Sequence, residues 1–451
     1  MEISLGIDIG TTKSAAVLLE GRRLLAVESL PHESETSKGV QDVAKHIETV
    51  KILLARLPND LKQRVTSVGV TGQMHGVVCW NETEVSPLYT WQSRVGDVTA
   101  CQKICAELRE GFGLVTLAWL ADDDKLQRST SKVPSIPKTH NELGSTQKYT
   151  HCGTIHDYFV WLITGKPEKV LMDCADATSW GGFWGDSTGE GFDENIVTAL
   201  GIPMQILPKV VPCGALAGRL AGEWGLPEGI PVTVATGDNQ ASVFATSHNA
   251  AEEIHLTIGT GAQLSAVVDT ETAESLRGKV ELRPFFDEQM LAVVAPLCGG
   301  AAWAWLHEAV KNFSATADCT PCRDAELYDR IDTLALAEME ADDLPAVAPH
   351  FLGERHAPHL HGSIGALTLQ NFTLGKLAAG LAHGIVATLA EPMPREVFAT
   401  RTHLLASGNA IRKTAALRQA AEMRFGLPVE IVEGREEAAC GAALLAMRHS
   451  A

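Results

Sequence analysis

The chain lacks any apolar run long enough to cross a membrane. No uninterrupted apolar stretch among its 451 residues reaches the roughly 18 positions that a transmembrane helix requires. A secretory signal is also missing from the start of the sequence, because residue 2 is Glu2 and Asp8 interrupts the first apolar run. The sequence therefore predicts a protein without a membrane partner, located in the cytoplasm.

Basic residues are too few for a nucleic-acid partner to be expected. The chain has 37 Lys and Arg against 55 Asp and Glu, which gives a net charge of −18. Binding a phosphate backbone requires concentrated positive charge, so the composition predicts no nucleic-acid partner. The negative net charge does not exclude ATP binding, because a divalent cation and a few nearby hydrogen-bond donors determine the electrostatic interaction at contact distance.

The ten cysteines do not have the spacing of a disulfide framework. The single C-x-x-C pair, Cys319 and Cys322, has neither a second pair nor a histidine nearby. Free thiols in a reducing cytosol are therefore expected, rather than disulfide bonds or zinc and redox chemistry.

Length and composition predict two globular domains. A chain of 451 residues exceeds one ordinary core and fits two domains of about 200 residues each. Its 45% hydrophobic and 20% charged content is typical of a globular protein with a large interior.

The opening segment predicts a hairpin that binds phosphate. Apolar residues at 5, 7 and 9 indicate a strand with Asp8 near its end, and a second apolar strand follows over residues 15–19. The turn between these strands consists of Gly10, Thr11, Thr12 and Lys13. Its N–H groups, hydroxyls and ammonium suit phosphate oxygens, and a divalent cation would make a buried Asp8 favourable. For this segment alone, an ordinary hairpin with a solvated Asp8 is the alternative.

A second strand–Gly-Thr–strand unit lies in the other half of the chain. Its turn residues are Gly259, Thr260 and Gly261. Residues 258–260 have the same Ile-Gly-Thr sequence as residues 9–11, and Thr257 takes the place of Asp8. Two such units predict duplicated lobes that each offer a turn to one nucleotide between them, although so short a string can recur by chance.

Periodicity predicts the elements around these turns. Strands are predicted three times within residues 3–30 and then over 65–71, 232–236, 404–407 and 429–432; helices are predicted over 40–57, 154–165, 411–425 and 436–447. Residues 121–150 have no apolar period and predict a surface excursion. The lobe boundary is expected close to residue 236, and Gly441 is expected to let the last helix pack closely against a neighbouring backbone.

Asp238 is the candidate general base. It follows Gly237 at a strand end and begins a predicted helix, where the positive end of the helix dipole favours a carboxylate. A carboxylate placed there could accept the proton of a sugar hydroxyl. A simple N-cap aspartate is the alternative.

The loop after the predicted strand 65–71 is the candidate sugar site. Met74 and His75 could line a polyol site, with the imidazole donating to a hydroxyl and Gly76 permitting close approach. A structural histidine is the alternative. Gly408 and Asn409 follow another strand and could receive a purine, although such turns are widespread.

Taken in order, these motifs resemble the FGGY carbohydrate kinase family. The segments that carry the resemblance are residues 6–12, 72–76, 157–158, 164–165, 237–238, 258–260, 406–409 and 437–442. The resemblance implies an α/β fold of two ribonuclease H-like, actin-type ATPase lobes with a cleft between them. Residues 1–236 would form the lobe with the sugar site and the first phosphate turn, and residues 237–451 the lobe with the second phosphate turn and the adenosine site.

The resemblance also implies a role for each matching residue. Asp238 would be the catalytic base and Asp8 the carboxylate near Mg²⁺ and the phosphates. Gln73, Met74, His75 and Asp157 would contact the sugar. The residues expected to bind ATP are Gly10, Thr11, Thr12, Lys13, Gly259, Thr260, Gly261, Gly408 and Asn409. The segment 91–94 departs from the family pattern, because it has no acidic residue and is one residue shorter. Whether this segment contacts the sugar is therefore open.

The implied activity is ATP-dependent phosphorylation of the terminal primary hydroxyl of a ketose. Residues 153–158, 179–181, 237–243 and 352–356 are most similar to family members that phosphorylate sedoheptulose, whereas 73–76 is shared with xylulose kinases. A pentulose kinase is therefore the alternative within the class, and a non-catalytic nucleotide-dependent switch of the same fold is the alternative outside it. Monomer and homodimer are both open.

Overall fold

The computed structural model describes residues 2–122, 148–183, 191–317, 323–354, 357, 359–432, 434 and 436–450. Two compact units divide the chain: unit 1 comprises Met1–Ala245, Pro284–Glu288 and Arg435–Ala451, and unit 2 comprises Thr246–Arg283 and Gln289–Gly434. These ranges differ from the two predicted lobes, since the segment up to Ala245 and the C-terminal segment belong to unit 1. Among the described residues, no helix has both the length and the apolar character needed to span a bilayer.

Unit 1 is built on a mixed central sheet and has several smaller sheets beside it. The strands of the unit are β1 (Ile3–Ile9), β2 (Lys13–Glu20), β3 (Arg23–Pro31), β4 (Glu35–Ser37), β5 (Val40–Gln41), β6 (Val65–Gly72), β7 (Val78–Trp80), β8 (Leu88–Tyr89), β9 (His151–Gly153), β10 (Leu171–Asp173), β11 (Lys209–Val211), β12 (Leu216–Arg219), β13 (Pro231–Thr233) and β14 (Thr236–Gly237). The central sheet has the order β12-β13-β6-β1-β2-β3, with β14 also paired to β6.

The described residues of unit 1 also form helices. They are α1 (Val43–Arg56), α2 (Asn59–Lys62), α3 (Val98–Gln102), α4 (Gly113–Asp122), α5 (Ile155–Ile163), α6 (Cys174–Trp180), α7 (Glu194–Ala199) and α8 (Asp238–Thr246), together with a 3₁₀ turn at Met204–Ile206. The main core of unit 1 joins fully buried residues of β1, such as Leu5 and Ile7, to apolar residues of α1 and α5.

Unit 2 repeats the central part of this sheet topology. Its strands are β15 (Glu253–Ile258), β16 (Ala262–Val268), β17 (Glu281–Pro284), β18 (Met290–Val294), β19 (Ala346–Ala348), β20 (Ser363–Gly365), β21 (His403–Ser407) and β22 (Val429–Ile431). The central order is β17-β18-β16-β15-β21-β22. In both units an antiparallel meander is followed by strands parallel to the first one, β6 beside β1 and β21 beside β15. This repetition matches the predicted duplication.

The helices of unit 2 pack around a single large core. They are α9 (Thr270–Leu276), α10 (Gly300–Thr316), α11 (Asp324–Leu336), α12 (Leu374–Ala390), α13 (Asn409–Lys413) and α14 (Ala415–Phe425), with a 3₁₀ turn at Arg395–Phe398. Buried residues of α12, including Leu381 and Ile385, meet the inner faces of β15 and β16 in this core.

The last helix, α15 (Glu437–Met447), belongs to unit 1. Side chains added at Gly6 of β1 and Gly69 of β6 would collide with the backbone of this helix at Ala439 and Ala442. The opposite face of α15 meets α8, because a side chain at Gly441 would collide with the backbone of Ala241. The predicted close packing at Gly441 is therefore confirmed.

Four predicted elements differ from the structure. The helix expected over 40–57 begins only at Val43, and the strand over 232–236 is divided into β13 and β14. The helix expected over 411–425 is interrupted at Thr414, where the carboxylate of Asp332 accepts hydrogen bonds from the first two N–H groups of α14 at 2.9 and 2.8 Å. A side chain from another helix thus begins a new helix there.

The fourth difference concerns the predicted surface excursion. Its first two residues, 121 and 122, complete helix α4, and Tyr149 near its end is buried in a core cluster. Residues 123–147 of this segment lie outside the described residues, as do Cys319, Cys322 and two residues of the motif 352–356. The described cysteines all have free thiols, in agreement with the prediction.

Candidate active site

Asp8 and Asp238 lie at the same edge of the unit 1 sheet. Asp8 of β1 stands beside Thr71 of β6, and Thr71 stands beside Thr236 of β14. Both pairings are parallel, so the carboxyl ends of the three strands meet at one edge. Asp238 follows β14 directly as the first residue of α8. Two aspartates that are 230 positions apart in the sequence thus come together at a strand edge, where α/β sheets bind their ligands.

The surroundings of Asp8 favour a cation. Burial raises the pKa of the Asp8 carboxyl well above its usual range, and the neighbouring carboxylates of Asp238 and Glu436 raise it further, while Lys13 opposes them. Its Oδ1 atom is enclosed by protein and has no hydrogen-bond partner. Only the Lys13 ammonium favours the ionised form of Asp8 here, and a bound cation would favour it further.

A magnesium site fits these residues only in part. Among the described residues, no three His, Cys, Asp or Glu side chains form a set that could hold a metal ion by themselves. Mg²⁺ is commonly held by one or two carboxylates together with water and substrate phosphates. Asp8, with its orphaned buried oxygen, suits such a partial site.

The first phosphate turn closes as predicted between β1 and β2. Gly10 N donates to Lys13 O at 3.1 Å, and Thr11 Oγ1 accepts a hydrogen bond of 3.0 Å from Nε1 of Trp91. The loop 91–94, whose role the sequence left open, therefore contacts the phosphate turn through its tryptophan.

Lys13 has a partner that the sequence did not predict. Its Nζ binds both carboxylate oxygens of Glu436, at 2.5 and 2.7 Å. Glu436 precedes α15 with a left-handed backbone, φ 58°, which is a strained conformation for a residue other than glycine. The ammonium proposed to bind phosphate is thus held by a carboxylate of the same unit.

Met74 lies beside the candidate base. A side chain atom added at Gly237 would stand 2.6 Å from Met74 Sδ, so the methionine occupies the space directly against the residue before Asp238. A larger residue at 237 would require the Met74 side chain to shift. The structure therefore brings the predicted sugar loop and Asp238 into one neighbourhood.

His75 is fixed in a defined orientation. Its Nδ1 lies 2.7 Å from the carbonyl oxygen of Ser179 at the end of α6, and its ring stacks on Phe112 at 5.2 Å. A carbonyl oxygen only accepts hydrogen bonds, so Nδ1 of His75 carries a proton and donates it to Ser179 O. The donation of the His75 ring to a sugar hydroxyl stays a prediction.

The side chain of Gln73 is buried and hydrogen-bonded within the protein, whereas the sequence predicted a contact with the sugar. Its Nε2 donates to Gly10 O at 3.2 Å and to Gln41 Oε1 at 3.1 Å, and the side chain is 1% exposed. The structure places this amide against the phosphate turn. Its contact with sugar stays a prediction.

Asp157 has a structural role in helix α5. Its Oδ2 accepts from Thr154 N at 2.9 Å, while Thr154 Oγ1 accepts from Asp157 N at 3.1 Å, which completes a capping box. The Thr-x-x-Asp spacing was the signal for this role. Burial also raises the pKa of Asp157 to about 7; its proposed contact with sugar stays a prediction.

A buried histidine–aspartate pair behind the loop was missed. His156 Nε2 and Asp176 Oδ2 are 2.8 Å apart and both side chains are fully buried. The ring lies against Gly72, where an added side chain atom would be 2.8 Å from His156 Nδ1. No spacing pattern links these two residues, because they come from α5 and α6.

In unit 2, the second phosphate turn and the candidate adenosine turn are in contact. A side chain atom at Gly408, whose φ is 94°, would lie 2.5 Å from Ile258 O and 3.1 Å from Gly259 N. Thr257 Oγ1 and Ser407 Oγ are hydrogen-bonded at 2.8 Å beside them. The structure thus brings together residues 258–261 and 408–409, which the sequence assigned to one nucleotide.

A glycine pair that was not predicted from the sequence supports this second turn. Gly300 N donates to Gly259 O at 2.9 Å and Gly299 N donates to Thr260 O at 3.1 Å, so the start of α10 holds both turn carbonyls. The signal was the Gly-Gly pair before the apolar start of a helix.

The two repeated sheets and the phosphate-type turns after their first strands define the actin-like ATPase fold. The FGGY family of carbohydrate kinases, N-terminal domain, matches residues 3–245. This match covers more than half of the chain, which therefore belongs to the FGGY family of carbohydrate kinases.

Individual relatives extend over nearly the whole chain. Sedoheptulokinase from Mus musculus is 28% identical over 495 aligned positions, covering 99% of this chain and 97% of that protein. Xylulose kinase from Streptomyces coelicolor is 24% identical, covering 97% and 86% respectively. The crystal structure of xylulose kinase from Rhodospirillum rubrum superposes with a TM-score of 0.79 at 20% identity, covering 99% of this chain and 89% of that one, and shows the shared fold.

Proposed function

We propose that this protein transfers the γ-phosphoryl group of ATP to the terminal primary hydroxyl of a ketose, with sedoheptulose as the substrate and sedoheptulose 7-phosphate as the product. The proposal depends above all on one observation, the position of Asp238. This residue begins α8 at the strand edge that also carries Asp8, and Met74 packs against the residue before it.

The proposed reaction requires little covalent chemistry from the protein. In phosphoryl transfer, catalysis comes mainly from positioning and from stabilising charge. Asp238 accepts the proton of the sugar hydroxyl as its oxygen bonds to the γ-phosphorus and the bond to ADP breaks. Lys13 and the N–H groups of Thr11 and Thr12 bind phosphate oxygens. A magnesium ion held beside Asp8 would neutralise charge on the phosphates.

Support for the seven-carbon sugar comes from relatives. The mouse sedoheptulokinase is more similar to this chain than the xylulose kinase described above, and its alignment covers more of both proteins. The Gln-Met-His-Gly loop at 73–76 also suits a pentulose, so xylulose is the competing substrate.

A coupled assay of ADP release separates these substrates. The purified protein with Mg·ATP is offered sedoheptulose, xylulose, ribulose or glycerol, and kcat/KM is compared. We expect sedoheptulose to give the highest value. A higher value for xylulose would replace the proposed substrate with a pentulose. ATP binding without ADP release for any sugar would contradict a kinase function and favour a nucleotide-dependent switch.

A further inference from the structure

Behind the first phosphate turn lies a buried polar network, of which only Gln73 belongs to a sequence motif. We call it the histidine–glutamine network; its members are His32, Ser34, Gln41, His46 and Gln73. Each of these side chains is buried, with 7% exposure or less. The network belongs entirely to unit 1.

Three side chains of the network donate to two consecutive carbonyls of the turn. Gln41 Nε2 donates to Thr11 O at 2.8 Å. Gln73 Nε2 and His32 Nε2 both lie 3.2 Å from Gly10 O and donate to it. The carbonyl oxygens of the turn are therefore held on the protein side.

This arrangement fixes the direction of the N–H groups in the turn. A trans peptide is planar, and its N–H points opposite to its C=O. Holding Gly10 O and Thr11 O inward consequently directs the N–H groups of Thr11 and Thr12 to the opposite side. Outward N–H groups in a tight turn are the donors that bind phosphate oxygens.

Gln41 is the centre of the network. While its Nε2 holds Thr11, its Oε1 accepts from His46 Nε2 at 2.9 Å and from Gln73 Nε2 at 3.1 Å. Ser34 Oγ lies 2.8 Å from His32 Nδ1 and connects the two histidines.

Both rings are suited to this role because they are neutral. Burial lowers the pKa of His32 and lowers that of His46 to about 3. A neutral ring whose Nε2 donates leaves Nδ1 of His32 as the acceptor for Ser34. The donors and acceptors of the network are thus mutually consistent.

The network also reaches the candidate sugar loop. Gln73 N donates to Ile9 O at 3.1 Å, and its side chain joins Gln41 to Gly10. Gln73 directly precedes Met74, the residue that packs beside Asp238.

We propose that Gln41 is a positioning residue, which orients the N–H groups of the first phosphate turn toward the nucleotide. This proposal deepens the proposed function and depends on it for the identity of the nucleotide. Gln41 itself touches neither the nucleotide nor the sugar in this account.

The test compares Gln41→Leu with Gln63→Leu. Leucine removes both the donor and the acceptor of Gln41 at similar volume, while the control removes an exposed glutamine whose hydrogen bond to Gly225 lies elsewhere in unit 1. Mg·ADP affinity is measured by calorimetry without sugar, and KM is measured for ATP and for the sugar. We expect Gln41→Leu to weaken Mg·ADP binding and raise the KM for ATP about tenfold, the scale of one or two hydrogen bonds. The KM for sugar should change less than twofold.

A second variant keeps the test decisive if Gln41→Leu does not fold. His32→Asn removes one donor to Gly10 O and should weaken Mg·ADP binding in the same direction. A lower melting temperature with unchanged Mg·ADP affinity in both variants would assign the network a structural role and overturn the proposal.

The same measurements distinguish the two proposals from each other. Wild-type protein that binds Mg·ADP but phosphorylates no ketose would overturn the proposed function, and the calorimetric comparison would still decide the role of Gln41. Wild-type protein that binds no nucleotide would overturn both.

Discussion

At the scale of single residues, Asp238 is the side chain on which the proposed chemistry depends most. Replacing it with Asn keeps the size and the hydrogen bond available to Asn239 N, which Oδ1 accepts at 2.8 Å, but removes the basic oxygen. We expect Asp238→Asn to lower kcat by about 10²–10⁴-fold, the usual contribution of a positioned base. Mg·ADP affinity should stay near the wild-type value.

The matched control is Asp60→Asn, which changes an exposed aspartate in the first turn of α2. It should leave kcat unchanged. Turnover of Asp238→Asn close to that of the control would show that the carboxylate is an N-cap and not a base.

Residues at strand ends could be found from the sequence, but residues that meet only in three dimensions could not. Asp8 lies near the end of an apolar strand and Asp238 directly after one, so both stand out locally, whereas helices α1 and α2 and strand β6 lie in the chain between Gln41 and Gln73. No spacing rule connects Gln41, His46 and Gln73, because Gln41 and Gln73 bind backbone carbonyls of the turn and His46 binds the side chain of Gln41. The direction of the His75 hydrogen bond was also beyond the sequence, since it depends on Ser179 of a distant helix.

At the scale of elements, helix α15 connects the sheet to α8. It is rich in alanine and fits between β1, β6 and α8, with Gly441 at the contact with Ala241. Since α8 begins with Asp238, the seating of α15 also fixes where the candidate base stands.

Gly441→Ala tests this seating. The added methyl would overlap the backbone of Ala241, and backbone cannot move aside as a flexible side chain can. We expect a loss of about 1–3 kcal/mol in the free energy of unfolding, typical of overpacking, and a lower kcat because α8 is displaced. Chemical denaturation followed by circular dichroism measures the first quantity, and the sugar assay the second.

Gly191→Ala is the control, because nothing lies within 4 Å of an added side chain atom there. A Gly441→Ala protein as stable as this control would show that α15 and α8 separate without cost.

The boundaries of helices depend in part on contacts that a local sequence pattern does not contain. The apolar periodicity from 411 to 425 was correctly taken as helical, but Asp332 from α11 caps a new helix after Thr414. The sequence around 414 contains no glycine or proline that would announce the break. Conversely, the Thr154–Asp157 capping box was visible in the sequence and would have favoured a structural role for Asp157.

At the scale of the whole molecule, two compact units with separate cores are expected to unfold in separable steps. The duplicated sheet could be predicted from the two Gly-Thr hairpins. The return of the C-terminal helix to unit 1 could not, because an amphipathic or alanine-rich segment does not specify which sheet it covers.

Buried ionisable groups make the stability of the two units depend on pH in different ways. In unit 1, burial raises the pKa of Asp173 to about 7. The folded form therefore keeps a proton that the unfolded chain loses above about pH 4, so this group lowers stability as the pH rises toward 7. Asp173→Asn should consequently gain stability relative to wild type as the pH is raised from 4 to 7.

In unit 2, His255 has the opposite effect. Burial lowers its pKa to about 4, so the folded form stays neutral while the unfolded chain takes up a proton below about pH 6.5. Stability is lost as the pH falls from 6.5 toward 4, by up to about 1.4 kcal/mol per pH unit. In calorimetric scans from pH 7 to pH 5, His255→Gln should therefore become more stable relative to wild type, whereas His403→Gln, which changes an exposed histidine of the same unit, should not. Parallel pH profiles for the wild type and both variants would mean that His255 takes up its proton without unfolding.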